Sequence, residues 1–221
     1  MIEKEIVVAA YNKSLGWMDF LSNDVKKSVY RKGNLPLSKG EILIEPNVGR
    51  CVHTFFNHLL LRYDSLAEYT FFCQDFPFDH WGNIVEIING SMVDLSKKSS
   101  LSIGGYHGYH NNRLGSAWNM PPTQQFLNGR ALSCLSNGYP QHMEPGVNVD
   151  EYWDLLFNEP RPKFYEFMPG GHFAISRDQV RIRSRNFYEK ICNLLAEDVY
   201  APWKMERLEC YVFCENYKTK I

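Results

Sequence analysis

A group of acidic and amide side chains follows an apolar run in the first half of the chain. The run 69–73 is aromatic and β-prone, which is typical of a buried strand, and Gln74, Asp75 and Asp79 come directly after it. Carboxylates at the carboxyl end of a strand suit a hard divalent cation that also binds phosphate oxygens. The alternative is an ordinary strand exit with solvated acids, ended by Pro77.

A second polar strand end lies near the start of the chain. A short β-branched run begins at Glu5 and ends in Ala10, Tyr11 and Asn12, which are small or polar and would let a ligand approach. Ser14 is a candidate N-cap and predicts a helix directly after it. The segment has no glycine-rich phosphate loop, which disfavours a dinucleotide-binding or Walker-type site.

Apolar residues at helical spacing in the range 47–63 predict a helix that packs on the sheet. Arg50 and His53 lie in its first turns, on the polar side, where they could present donors to an anion near the positive helix end. The alternative is a solvated polar face. A second strand is predicted at 28–31. Because the strand 69–73 follows the helix, helix and strand alternate, and the chain is expected to have an α/β fold.

The range 85–169 is rich in Gly, Ser, Asn, Pro and aromatic residues, with a helical piece near 150–157. Such long loops favour a binding function, and aromatics mixed with amides suit a sugar ring. The alternative is a disordered or purely structural loop. His107 and His110 have no third ligand at standard spacing, so a zinc site is not expected there.

The C-terminal part is regular again. Two glycines and His172 lead into a short strand, and Ser176 opens a capping box and a helix expected to continue through Leu195. A final helix is predicted from about Pro202, with Glu206 in its first turn. The helix dipole favours a carboxylate there in any case, so Glu206 is either functional or a helix-start residue.

Composition places the 221 residues in one domain of an ordinary globular protein, with 44% hydrophobic and 22% charged residues. The net charge of -1 gives no overall attraction to nucleic acid or to an anionic membrane. The apolar run at the N-terminus is too short for a signal peptide or a membrane span. Six cysteines without a C-x-x-C pair predict reduced thiols and a cytosolic setting.

Five segments together resemble a family of small GT-A type glycosyltransferases from fungi and large algal viruses, including the N-terminal domain of a chlorella-virus enzyme that glycosylates the major capsid protein. They are residues 6–13 (IVVAAYNK), 47–58 (NVGRCVHTFFNH), 71–80 (FFCQDFPFDH), 170–177 (GGHFAISR) and 201–211 (APWKMERLECY). The resemblance implies a GT-A fold with a six-stranded mixed sheet, a UDP-sugar donor of the UDP-glucose or UDP-rhamnose type, and manganese, with magnesium as the substitute. The acceptor would be a glycan, such as one on a capsid protein, and the chain could be the N-terminal domain of a longer protein.

The resemblance also implies roles for single residues. GT-A enzymes usually carry Asp-any-Asp, whereas Asp75 and Asp79 are four apart here, and Asp79 is the preferred metal ligand of the two. Glu206 would be the base of an inverting reaction. Apart from the resemblance, His172 is the reserve candidate for this role. The nucleotide-binding candidates are Ala10, Tyr11, Asn12, Arg50, His53, Gln74 and Asp75. The first three would line the uridine pocket, where their backbone groups would read the edge of the pyrimidine. Two other functions stay open, namely a sugar-binding module without catalysis and a metal-dependent phosphoesterase.

Overall fold

The computed structural model describes residues 3–33, 36–44, 46–79, 84–90, 126–127, 130–131, 149–161 and 172–213. The strands in chain order are β1 (Lys4–Ala10), β2 (Val25–Arg31), β3 (Ile42–Leu43), β4 (Tyr69–Gln74), β5 (Phe126–Leu127), β6 (Arg130–Ala131) and β7 (Phe173–Ser176). The α-helices are α1 (Arg50–Leu61), α2 (Ile84–Asn89), α3 (Val149–Leu156), α4 (Arg177–Arg181), α5 (Arg185–Glu197) and α6 (Ala201–Val212). Two short 3-10 helices are η1 (Gly16–Phe20) and η2 (Pro77–Asp79).

Five of these strands form one mixed sheet in the order β3-β2-β1-β4-β7. The pairs β1–β2, β2–β3 and β1–β4 are parallel, and β7 runs antiparallel to β4. The predicted α/β fold with a mixed sheet is therefore confirmed. The sheet has five strands among the described residues, where the resemblance implied six, and β5 and β6 pair separately with each other.

Strand β1 is central, and every residue in it is buried. A strand covered on both faces must be apolar on both, which explains the β-branched run seen in the sequence. Val7 and Ala9 face the cluster formed with α1, while Ile6 and Val8 face the cluster formed with η1 and α2. The sheet is thus a middle layer between two sets of helices.

The larger core lies on the α1 face, where α1, α3, α5 and α6 cover the sheet. Phe72 of β4 and Phe173 of β7 stack at 4.7 Å between ring centroids, and Phe55 of α1 packs on both rings. These rings are fully buried, and each contributes about 2–3 kcal/mol by leaving water. This packing fixes α1 on the sheet and so fixes the position of its first turn.

Two helix predictions were wrong in detail. The segment after Ser14 forms only η1, with Leu15 at its N-cap and no side-chain capping bond. The helix opened by Ser176 ends at Arg181, and α5 then begins with its own capping side chain, Ser184, which accepts from the Phe187 amide. The capping box of Ser176 itself is confirmed, since both of its reciprocal hydrogen bonds are present.

Much of the predicted binding loop lies outside the described residues, including His107 and His110. Within the described parts, no helix is long and apolar enough to cross a membrane. Of the predicted reduced thiols, those of Cys51, Cys73 and Cys192 are free.

Candidate functional site at the carboxyl edge of the sheet

The order of the strands creates a topological switch point. From β1 the chain moves to β2 and β3 on one side, and β4 then pairs on the other side of β1. Ligands of open α/β sheets bind outside the carboxyl ends of the strands at such a point. The residues that follow β1 and β4 there are Tyr11, Asn12 and Lys13, here called the β1 loop, and Asp75.

Asp75 fixes the β1 loop through a single carboxylate oxygen. The amides of Tyr11, Asn12 and Lys13 donate to Asp75 Oδ2 over 2.9, 3.0 and 2.8 Å. Consecutive amides that converge on one anion form a nest, and charge-assisted bonds of this kind are stronger than neutral ones. Asp75 is 8% exposed, so its hydrogen bonds with these amides compensate for the loss of hydration of its carboxylate. The Oδ2 atom of this candidate metal ligand is committed to the loop.

Other backbone groups around the β1 loop are also paired. The Lys32 amide donates to the Ala10 carbonyl over 2.9 Å, and Arg31 Nη1 donates to the Tyr11 carbonyl over 3.2 Å. The amides of Tyr11 and Asn12 already donate to Asp75. These two N–H groups are therefore not free to bind the edge of a pyrimidine, as the resemblance led us to expect. The Tyr11 side chain, which is 52% exposed, and the exposed Asn12 remain accessible to a ligand.

Helix α1 begins in an unusual conformation at the same edge. Gly49 and Arg50 both have positive φ, 62° and 52°, and the non-glycine residue costs about 1–2 kcal/mol. A Cβ on Gly49 would lie 2.6 Å from His53 Cβ and 2.8 Å from the Leu195 carbonyl oxygen, so only glycine fits. The Arg50 guanidinium stands over the Trp203 ring of α6, 5.1 Å from its centroid.

His53 lies one helical turn into α1 and is 9% exposed. Burial, and then the positive charge of Lys32, lower the pKa of His53 to about 4. The imidazole is therefore neutral at pH 7 and adds no positive charge for a nucleotide. Its Nδ1 atom has no hydrogen-bond partner among the residues that the structure describes.

Glu206 lies in the second turn of α6, so the prediction of a first-turn position was wrong. The helix begins at Ala201, with Tyr200 at the N-cap and Pro202 at the start, which moves Glu206 away from the positive end. Its side chain is 17% exposed, and Glu206 Oε2 accepts a hydrogen bond from Arg207 Nη1 over 2.7 Å. The helix dipole falls off within the first turn and does not explain this carboxylate.

The middle of α6 nevertheless lies near the start of α1. Burial raises the pKa of the Cys51 thiol to about 12, the Arg50 charge lowers it, and the carboxylates of Glu209 and Glu206 raise it. The contact between Arg50 and Trp203, which lies three residues before Glu206, places the first turn of α6 beside the start of α1.

His172 reaches this edge because β7 runs antiparallel to β4. It directly precedes β7 and is 7% exposed. The Gln74 amide donates to His172 Nε2 over 3.4 Å, so the imidazole lies beside the residue that precedes Asp75. The structure thus brings the candidate residue His172, which precedes β7, next to the candidate residues at the end of β4, although the two elements are far apart in sequence.

Asp79 ends the 3-10 helix η2, one short turn after Asp75. The part of the chain that the structure describes contains no group of three or more His, Cys, Asp or Glu residues able to hold a metal. A protein-only metal cage is therefore not formed by these residues. Magnesium-type cations commonly bind through one or two carboxylates plus phosphate oxygens and water.

Two residues of the site were missed by sequence reasoning. Lys32 directly follows β2, and the same rule that selected Asp75 at a strand end would have selected it. Glu209 is 3% exposed on α6, and burial raises the pKa of its carboxyl well above the usual value. No local sequence signal distinguishes Glu209 from a solvated glutamate, because its burial depends on the packing of α6 against α1.

The fold and site define an α/β protein with a polar site at the switch point of a mixed sheet. The chain belongs to DUF3431, a family of proteins of unknown function, whose model matches residues 6–218. No curated protein matches the chain, and no solved structure does.

Proposed function

We propose that this protein is a metal-dependent, GT-A type glycosyltransferase that moves a hexose from a UDP-sugar to a glycan acceptor. The observation that carries the proposal is the set of three hydrogen bonds from the amides of the β1 loop to Asp75. These bonds hold the β1 loop rigid at the switch point. Nucleotide ligands of open α/β sheets bind at this position. UDP-glucose and UDP-rhamnose are the donor types that we propose, with a capsid glycan as one acceptor.

Positive charge at the start of α1 supports a diphosphate ligand. Arg50 is exposed at the start of α1, and no carboxylate forms an ion pair with it among the described residues. The guanidinium is a forked donor that matches phosphate oxygens, and the indole of Trp203 beneath it holds its orientation. Tyr11 and Asn12 supply side chains for the base.

Asp79 is the residue that we propose to hold manganese, or magnesium in its place. A divalent cation bound there would neutralise charge that develops on the diphosphate leaving group. Asp75 orients the β1 loop in this scheme and does not bind the cation through Oδ2. Glu206, with His172 in reserve, would accept the proton of the attacking hydroxyl, which a carboxylate can do late in bond formation.

The proposal is tested by replacing Asp79 with alanine and measuring UDP binding by calorimetry with and without manganese. Asp24→Ala is the matched control, because Asp24 is exposed and lies at the opposite end of β2. We expect manganese-dependent UDP binding to be lost only in Asp79→Ala, with both variants folded. Unchanged UDP affinity in Asp79→Ala would remove the metal assignment.

Two further measurements separate this function from the alternatives. GDP should bind much more weakly than UDP, and equal affinity would contradict a uracil-selective site. Release of free UDP from a UDP-sugar in the presence of acceptor would exclude a sugar-binding module without catalysis. A phosphoesterase would instead hydrolyse simple phosphate esters, and a two-metal site of that kind needs more clustered ligands than the described residues provide.

A further inference from the structure

Lys32 is a buried ammonium held by backbone carbonyls. It is 7% exposed, and its Nζ atom donates to the carbonyl of Val48 and, over 2.6 Å, to the carbonyl of Arg50. These two carbonyls flank Gly49, so the side chain of Lys32 pins both ends of the left-handed turn that opens α1. A buried charge is costly, and such a position needs a compensating interaction.

Lys32 and Arg50 bring two positive charges to the start of α1, while the Asp75 carboxylate at this edge accepts from the amides of the β1 loop. No carboxylate forms an ion pair with Lys32 or with Arg50 among the residues that the structure describes. On α1, His53 is neutral and the Cys51 thiol is protonated at pH 7. On α6, Glu206 is paired with Arg207. Burial, followed by the charge of Glu206, raises the pKa of the Glu209 carboxyl well above its usual value.

We propose that Lys32 is a positioning residue for an anion-binding subsite of Arg50 and Trp203, which takes the phosphate groups of a nucleoside diphosphate. Lys32 holds the strained backbone of Arg50, and the indole of Trp203 holds its guanidinium. Without the ammonium, Arg50 can relax from its positive φ and leave the ring. The inference that the ligand contains a nucleoside rests on the proposed function, whereas the inference that the subsite binds phosphate groups does not.

The subsite should lose affinity at alkaline pH. Burial lowers the pKa of Lys32 to about 8, and the nearby Cys51 thiol opposes this shift. The ammonium that pins Arg50 is therefore present below pH 8 and is lost as the pH rises through that value. Arg50 itself stays charged throughout this range, so a change in anion affinity near pH 8 reports on Lys32.

The test measures binding of inorganic pyrophosphate and of UDP by calorimetry, without metal, from pH 6.5 to 9. The variants are Lys32→Met and Lys32→Arg, with Lys27→Met as the matched control. Lys27 is exposed, lies on β2, which Lys32 directly follows, and also donates to a carbonyl, that of Met18. At pH 7 we expect Lys32→Met to bind pyrophosphate about tenfold more weakly, and Lys27→Met to match the wild type. Titration of the ligand itself affects all variants equally.

The pH profile distinguishes positioning from general structural damage. The affinity ratio between the wild type and Lys32→Arg should fall above pH 8, because only the lysine loses its charge, and a constant ratio would overturn the proposal even if Lys32→Met does not fold. The double variant Lys32→Met with Arg50→Gln should bind no more weakly than Arg50→Gln alone. Fully additive losses would mean that Lys32 does not act through Arg50 and would overturn the proposed role.

Pyrophosphate and UDP together separate this inference from the proposed function. Lys32-dependent binding of pyrophosphate without metal, together with no binding of UDP when manganese is added, would leave the anion subsite standing and would contradict the glycosyltransferase. Binding of UDP that is unaffected by Lys32 would contradict the subsite alone. Absence of binding for both probes would overturn the subsite.

Discussion

The indole N–H of Trp17 donates to the backbone carbonyl of Asp75 over 2.9 Å, while the carboxylate of the same Asp75 holds the β1 loop. One residue therefore ties the end of β4 to η1 and to the end of β1. A glycine-rich turn is the usual way to present a rigid loop at this position, and the chain has none there. Here an acidic side chain and an indole produce the same rigidity.

Replacing Asp75 with asparagine should lower the free energy of unfolding by about 2–3 kcal/mol, because the amide loses the charge that three N–H groups share. The loss should be the same with EDTA as with manganese, since Oδ2 serves the loop. Urea unfolding followed by fluorescence measures it, with exposed Asp24→Asn as the control. A loss that appears only in the presence of metal would make Asp75 a metal ligand instead.

Replacing Glu209 with glutamine should stabilise the protein at neutral pH. Burial, and then the charge of Glu206, raise the pKa of the Glu209 carboxyl, so the folded state binds a proton that the unfolded state releases above about pH 4.5. Wild-type stability is therefore lost as the pH rises above that value. We expect Glu209→Gln to raise the Tm by about 2–5 °C at pH 7.5 and by less at pH 4.

Thermal unfolding at both pH values checks this, with exposed Glu197→Gln as the control. The same substitution tests whether Glu209 is needed as an acid for function. If Glu209→Gln lowers the Tm at pH 7.5, the carboxyl is ionised in the folded protein and has a compensating partner.

Acid should destabilise the protein through His58. This fully buried imidazole has Nδ1 2.8 Å from the Tyr30 hydroxyl and Nε2 3.8 Å from Glu5 Oε2. Burial, followed by the charges of Lys26 and Arg62, lowers the pKa of His58 to about 3. Between pH 6.5 and pH 3 only the unfolded state takes up the proton, so stability falls as the pH falls through this window.

We expect this histidine to cost about 2 kcal/mol of stability between pH 7 and pH 4.5. Urea unfolding at the two pH values should show a smaller difference in His58→Gln than in the wild type, although the variant starts from a lower stability at pH 7. An equal pH difference in both proteins would show that His58 is already protonated in the folded state or that other groups dominate acid unfolding.

The sequence predicts those features that depend on neighbouring residues. The capping box of Ser176 and the apolar run that forms β4 are local patterns, and both are present. The start of α6 was predicted to within one residue, although Tyr200 caps it without a side-chain hydrogen bond and sequence rules rely on such side chains. The contact between Arg50 and Trp203 joins distant helices, so only packing on the sheet reveals it.

Replacing Glu206 with glutamine tests the proposed base directly. The glutamine keeps the shape of the side chain and removes the proton acceptor, so turnover should fall by about 100-fold or more while UDP affinity changes little. Exposed Glu197→Gln is the control for the loss of one negative charge, and His172→Gln tests the reserve candidate.

The bond from Arg207 to Glu206 makes one further distinction possible. The guanidinium of Arg207 holds Glu206 Oε2 at 2.7 Å, so Arg207→Gln should release the carboxylate without removing it and should reduce turnover less than Glu206→Gln does. NMR of the product gives its anomeric configuration, which an inverting base requires to be opposite to that of the donor. Near-normal turnover in Glu206→Gln, or a product that retains the configuration of the donor, would show that Glu206 is not the base.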